Sequence, residues 1–333
     1  MNKTAKTVLI VALSLFGLGL LVFFGASLVT GYSFSSFANG SAGMTVIPEG
    51  EVNTVEKIFD AENRDIEIDV SFADVSVGSS PDEKIHFSYT QTSKVSFELK
   101  THSDKITLSQ QQSPFSFFFL HPGSAHAQLL LPAKYNGDLE IDTASGSIWL
   151  KDISISGDFE FSTASGSIKA ENCACLETDI STASGDVALS DFKLSRLDVS
   201  TASGGIKLGG IKGKPALELE TASGSIDISD AQLSALEVST HSGDVSLDDL
   251  KALSCSVENT SGRCYMDGFD VDNLRVSTIS GDISGTLSGS EADYSITART
   301  VSGRNSLLNL GGHGKRILEL RSTSGDIEVS FAG

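Results

Sequence analysis

A serine that recurs at one fixed place in a repeat raises the question of nucleophilic chemistry. Thr-Ala-Ser-Gly, or a close variant, returns ten times, ending at Gly146, Gly166, Gly185, Gly204, Gly224, Gly243, Gly262, Gly281, Gly303 and Gly325. A catalytic serine needs a base within hydrogen-bond reach of one activated hydroxyl. Ten equivalent serines with no regularly placed His do not meet that requirement, and His102 and His241 merely fill the slot two before the corner. These serines read as corner caps.

Three other residue sets invite chemistry. Asp186, Asp244, Asp282 and Asp326 follow the glycine, and a hard cation such as calcium wants several carboxylate and carbonyl oxygens. These Asp are not expected on adjacent turns, since Ser225 and Gly205 interrupt them and Arg263 and Arg304 stand at the same level. A solvated row is therefore expected, with no metal. Cys173 and Cys175, and Cys255 and Cys264, lack a nearby His and make a poor zinc signature. The latter two occupy apolar slots and read as buried thiols; the former two fall in a variable stretch and receive no position. Thr at position −3 (Thr143, Thr163, Thr182, Thr201, Thr221, Thr240, Thr278, Thr300) shares parity with the apolar slots. It should point inward and hydrogen-bond along a stack, which argues against an exposed water-ordering array. No catalytic residue, cofactor or metal ligand is assigned.

The elements that carry these residues follow from the spacing. The corner glycines are 20, 19, 19, 20, 19, 19, 19, 22 and 22 residues apart, a period that signals a solenoid. With glycine as zero, −7 and −5 are almost always apolar, from Leu139 and Ile141 to Leu318 and Leu320. Positions +2 and +4 are apolar in nine copies each, with Asn305 and Gly285 the exceptions. Alternation on both sides of the glycine predicts strand, corner, strand, each burying one face. The glycine suits a corner that needs φ > 0. The stretch after +5 varies and reads as an outer loop or third side. Upstream, Ile66, Ile68, Val70, Val75 and Val77 fit a copy centred on Ala73, and Phe97, Leu99, Thr101, Ile106 and Leu108 fit one centred on Asp104. The expected fold is all-β: a parallel β-solenoid of about twelve turns of 19–22 residues, about 50–60 Å long at ~4.8 Å per turn. A single turn cannot offset its own ordering entropy, so the turns must stack.

The organisation along the chain has four parts. Residues 1–31 are a cytoplasmic tip and transmembrane anchor. Lys3 and Lys6 precede the uncharged run 8–29, which at ~1.5 Å per residue crosses a bilayer as a helix and leaves the N-terminus cytoplasmic. A cleaved signal ending near Ala38 is the alternative. Residues 32–59 are a Gly/Ser-rich tether, 60–135 irregular first turns, and 136–333 the regular solenoid. The irregular part holds "QQSPFSFFFLHPGSAHAQ", 111–128, with Phe115, Phe117, Phe118 and Phe119. Four Phe in one insertion form either a lid over the first turn or a docking patch for a partner or membrane. The chain has 43 acidic and 24 basic residues, net −19, which excludes a nucleic-acid footprint.

The anchor, the segment "LLLPAKYNGDLEIDTASGSIWL" and the serial Thr-Ala-Ser-Gly-Asp-Val-type repeats over roughly 60–333 resemble a bacterial family of unknown function. It carries the label "putative adhesin" and includes LiaG-like membrane proteins. The resemblance implies a fold and offers no catalytic residues. The expected role is a single-pass membrane protein with an extracellular, non-enzymatic solenoid acting in adhesion, envelope sensing or scaffolding. Its partner would be an envelope protein or polysaccharide. The runner-up is a carbohydrate-active β-helix enzyme acting on cell-surface polysaccharide, which needs carboxylates clustered on adjacent turns in a groove.

Overall fold

Each regular turn closes with three sides. The computed structural model describes residues 53–61, 64–91, 95–102, 104–112, 125–307 and 313–333. The first side is the −7 to −3 strand: Leu139–Thr143, Phe159–Thr163, Glu177–Thr182, Arg196–Thr201 and Ala216–Thr221 pair in parallel, each residue opposite its copy one repeat away. The second side begins at +2 and pairs the same way, Ile148 on Ile168 on Val187 on Ile206 on Ile226. The stretch after +5 is a third side, not a loop. Its +7 and +9 residues point inward, as buried Ile153 and Ile155, Phe192 and Leu194, and Leu250 and Ala252 do. Cys173 and Cys175 hold these slots in their own turn, the first buried and the second half-buried. Inward residues of all three sides form one continuous core from Ile66 to Val329.

The second corner was not foreseen. Position +6 is left-handed in seven successive turns, at Asp152, Asn172, Asp191, Gly210, Asp230, Asp249 and Gly268, with φ between 51° and 64°. Asn, Asp and Gly are the residues that tolerate this conformation. The Ser-Gly corner, expected to need φ > 0, does not: Gly146, Gly166, Gly185, Gly204, Gly224, Gly243 and Gly281 all have ordinary φ, and of the ten only Gly262, Gly303 and Gly325 are positive. Glycine is required there by close approach. A Cβ on Gly166 would overlap the carbonyl oxygen of Gly146, and the same collision recurs for Gly185 on Gly166, Gly204 on Gly185 and Gly224 on Gly204.

The turn count and turn order also differ from expectation. The corners from Gly146 to Gly281 stack in chain order; with the Ala73 turn against one end this makes about nine regular turns rather than twelve. Strand Asp65–Val70 lies between Leu139–Thr143 and Lys105–Gln112, and Asp74–Ser79 between Ile148–Lys151 and His126–Leu131. The first rung in sequence is thus interior, and a later one covers it. At the other end Arg316–Ser324 lies between the strand ending at Ser280 and Tyr294–Ser302. The last rung in sequence is therefore wedged between the Gly281 and Gly303 rungs. The copy expected around Asp104 does not exist: Val95–Thr101 makes an antiparallel hairpin with Lys105–Gln112. Lys84–Gln91 runs antiparallel to His126–Leu131, and Asn53–Asp60 antiparallel to Lys84–Gln91, so residues 53–59, expected in the tether, form part of a paired strand. These strands bury Ile85, Phe87, Tyr89 and Phe97 and close the N-terminal end of the core.

The two corners make opposite predictions for substitution. Gly224→Ala places its Cβ on a backbone carbonyl and should cost about 3 kcal/mol, a fall of several degrees in thermal midpoint. Gly210→Asn, in a column where Asn172 already sits at φ 52°, should stay within about 0.5 kcal/mol of the parent. Equal shifts measured by calorimetry would refute the close-approach account.

Candidate functional site

The Thr column is built into the corner. Thr143, Thr163, Thr182, Thr201 and Thr221 are buried, and each hydroxyl accepts the amide of the corner glycine three residues on, at 2.9 Å. The Thr163 and Thr221 hydroxyls also reach back to the glycine carbonyl of the turn below, Gly146 and Gly204. This pattern holds in the five turns that have Ala at −2. Where −2 is larger, as at His241 or Ile279, the glycine amide turns to a Ser carbonyl on the adjacent rung instead. There the Thr240 and Thr278 hydroxyls are buried with no partner. Thr201→Val should therefore cost about 1–3 kcal/mol by orphaning the Gly204 amide, whereas Thr240→Val should be neutral or stabilising. Paired melting curves decide it; equal costs would mean the column is held by shape alone.

None of the residues first considered for chemistry forms a reactive centre. The Ser145 hydroxyl donates to the Ser71 carbonyl, a corner contact. The Asp after the glycine caps the next rung: Asp186 accepts the Gly205 amide, Asp244 that of Arg263 and Asp326 that of Arg304. Asp282 and Asp326, distant in chain order, lie on neighbouring rungs and are joined by the Asp326 amide. These backbone bonds, with the partner guanidinium groups, hold Asp244 and Asp326 below the ordinary carboxylate range. Burial pushes the Cys173 thiol up to about 11 and those of Cys175 and Cys264 up to about 12. Burial thus disfavours the thiolate, the nucleophilic form, at neutral pH. Among the described residues no cluster has the makings of a metal site.

What the sequence reading missed is a row of carboxylates on the outer face of the first side. Position −6 reads Glu67, Glu140, Glu160, Asp179, Asp198, Glu218 and Glu237 on seven consecutive rungs, in register. It is legible in every second residue of the first-side strands, at the slots between the apolar ones. Asp138 and Asp142, and Asp158, flank it. Lys105 bridges Glu67 at 2.7 Å and Glu140 at 3.3 Å, and Arg196 lies 3.8 Å from both Asp198 and Glu218. Burial first, then neighbouring carboxylates, raises the pKa of Asp142 and Glu160; burial first does the same for Asp158. Beyond Glu237 the column changes sign at Arg275, which binds Glu319 at 2.8 Å.

A groove of about 530 Å³ runs along this face over the later rungs. Small residues at −8, Ala216, Ala235 and Ser254, open its floor; Arg196, Glu218, Glu237 and Arg275 edge it. The carboxylates with raised pKa lie on earlier rungs, outside the groove. Phe115, Phe117, Phe118 and Phe119 lie outside the described residues. The strands that flank them in sequence, Lys105–Gln112 and His126–Leu131, stack on the two sides of the Ala73 rung.

The row sets a pH dependence. Groups with raised native pKa (Asp142, Asp158, Glu160) bind protons more tightly folded than unfolded, so they lower stability as pH rises through their native pKa. Groups with lowered pKa (Asp244, Glu319, Asp326) lose their contribution as pH falls through theirs. The thermal midpoint should rise as pH is lowered from neutral toward the ordinary carboxylate range, about pH 4, and fall below it. Asp142→Asn/Glu160→Gln should raise it at pH 7 and flatten the rise. A midpoint that falls steadily from pH 7 downward would contradict the row's like-charge strain.

No curated protein matches the chain. Among solved structures, a "putative lipid binding protein" from Parabacteroides distasonis is 15% identical over 85% of this chain and 98% of that one, with a TM-score of 0.43. A "putative adhesin" from the same organism is 13% identical over 84% and 97%, with a TM-score of 0.42. Another "putative adhesin", from Parabacteroides merdae, is 13% identical over 85% and 97%, with a TM-score of 0.34. The sequence pattern of one family fits twice in tandem, over residues 63–218 and 215–332, and the chain belongs to the Toastrack DUF4097 family.

Proposed function

We propose that this chain is a non-enzymatic, adhesin-like surface rod, anchored by residues 8–29 in the cytoplasmic membrane, with the solenoid outside. One observation carries the reading: register-locked stacking turns the outward slots into continuous columns, a long repeating face rather than a single reactive centre. A repeating face suits an extended or repetitive partner, here an envelope polysaccharide or protein. The Phe insertion belongs to this reading as a docking patch. The end it was expected to cover is closed by Lys84–Gln91 and Val95–Thr101, whose Tyr89 and Phe97 rings pack 5.2 Å apart. Among the described residues no helix is long and apolar enough to cross a membrane; the proposed anchor lies outside them.

Two measurements on the full chain test it. Protease added to intact spheroplasts should remove the solenoid and leave the anchor; a protected solenoid, or a soluble protein starting near Asn39, refutes the topology. Full chain in detergent should co-sediment with isolated cell wall. Phe117→Ser/Phe118→Ser should abolish that binding and leave the thermal midpoint unchanged. A midpoint lowered by several degrees would return the insertion to the role of lid. Release of reducing ends from the wall, lost in Glu218→Gln/Glu237→Gln, would establish the enzyme alternative instead.

A further inference from the structure

The interleaving at the C-terminal end has a consequence for association between copies. The chain builds the Gly281 rung, then the Gly303 rung, and only then the Gly325 rung that separates them. Among the described residues the Gly303 rung stacks on nothing but this last one: Tyr294–Ser302 pairs with Arg316–Ser324 alone. Until the last rung arrives, both walls of the gap present strand edges whose amides and carbonyls lack partners. Once in place it satisfies both at once. The Gly281 amide donates to Ser324 and the Ile283 amide to Asp326 on one wall; the Gly325 and Ile327 amides donate to Ser302 and Arg304 on the other. Leu318, Leu320, Ile327 and Val329 become buried. Arg316 ties the insert to Asp270 at 2.9 Å and to the Tyr294 hydroxyl at 3.2 Å, and Arg304 ties it to Asp326 at 2.7 Å.

We propose that the gap between the Gly281 and Gly303 rungs is a binding slot for a C-terminal rung, and that two copies of this chain fill each other's slots reciprocally. The insert is joined to the Gly303 rung by the connection 304–315. An exchanged rung makes the same hydrogen bonds, apolar contacts and ion pairs as its own. Exchange therefore costs little beyond association entropy, and concentration decides between the two forms. The slot accepts only a strand–corner–strand unit with this spacing, so its partner is a second copy. Reciprocal exchange yields a two-fold dimer joined at the C-terminal ends of the solenoids, the ends opposite Asn53.

The test uses full chain in detergent and the exposed, directly paired positions Ser295 and Ile317. Ser295→Cys and Ile317→Cys in one chain, treated with a short bismaleimide as a dilute monomer, should link internally. Failure to link there overturns the rung order on which the slot rests. The two single variants are then mixed, unfolded and refolded together at high protein concentration. The expected result is a cross-linked heterodimer whose yield rises with refolding concentration and drops at least tenfold after refolding under dilute conditions. Neither single variant alone should link. Absence of the heterodimer at every concentration, with the internal link intact, overturns the exchange. Because anchoring in a membrane plays no part in this readout, its failure is separable from failure of the surface-rod reading.

Discussion

The carbonyl oxygen of one corner glycine rests against the α-carbon of the next, rung after rung, from Gly146 to Gly224. No side chain fits between them. This contact holds successive turns at strand spacing where the backbone bends most sharply and a ladder would otherwise open. The Thr at −3 completes it by accepting the glycine amide, which faces no strand. Both groups are buried, and leaving either unpaired costs about 1–3 kcal/mol. Corner, column and register are one constraint seen from three sides: a turn that slipped by one residue would put a side chain on a carbonyl and a hydroxyl in the wrong layer.

A register that cannot slip stacks like on like. Inside, this yields a continuous apolar core. Outside it gathers carboxylates into a row at strand spacing, where repulsion is strongest. The row persists because the burial energy of the rungs is set inside, and because Lys105 and Arg196 reach across rungs to neutralise pairs of acids. Where the row stands against burial as well, at Asp142 and Glu160, the carboxyls hold their protons more tightly.

Much of the architecture was legible because it is local. Apolar alternation at −7, −5, +2 and +4 names two strands and their inward faces without knowledge of neighbours, and these slots are the core. The third side stands in the sequence only beside an outer loop as its alternative, because its apolar pair is weaker, Ala231 and Leu233 in one turn and Cys173 and Cys175 in another. Its left-handed corner was nonetheless written as a column of Asp, Asn and Gly six residues after each corner glycine. The role of the glycine was misjudged for a different reason: φ is a property of one residue, whereas the close approach belongs to two turns and appears only once they are stacked. The acidic row fails in the same way, since period-two reading attends to the buried slots and treats the alternate ones as solvent.

Order is the property least available to a repeat reader, because every copy fits every level. Spacing counts copies but says nothing about which stacks on which, and the 22-residue intervals around Gly303, longer than the 19 or 20 elsewhere, were the sole trace of the detour. The physical argument for interleaving is about ends. A chain that simply wound to a stop would leave its terminal rung with one bare wall and one free terminus, the combination most prone to fray. Here the Ala73 rung and the Gly325 rung are each paired on both walls. Beyond the Ala73 rung, the strands Lys105–Gln112 and His126–Leu131 are covered in turn by the antiparallel strands Val95–Thr101 and Lys84–Gln91. The parallel ladder therefore ends there on strands of another direction, which break the repeat and close the core instead of offering one more wall for stacking.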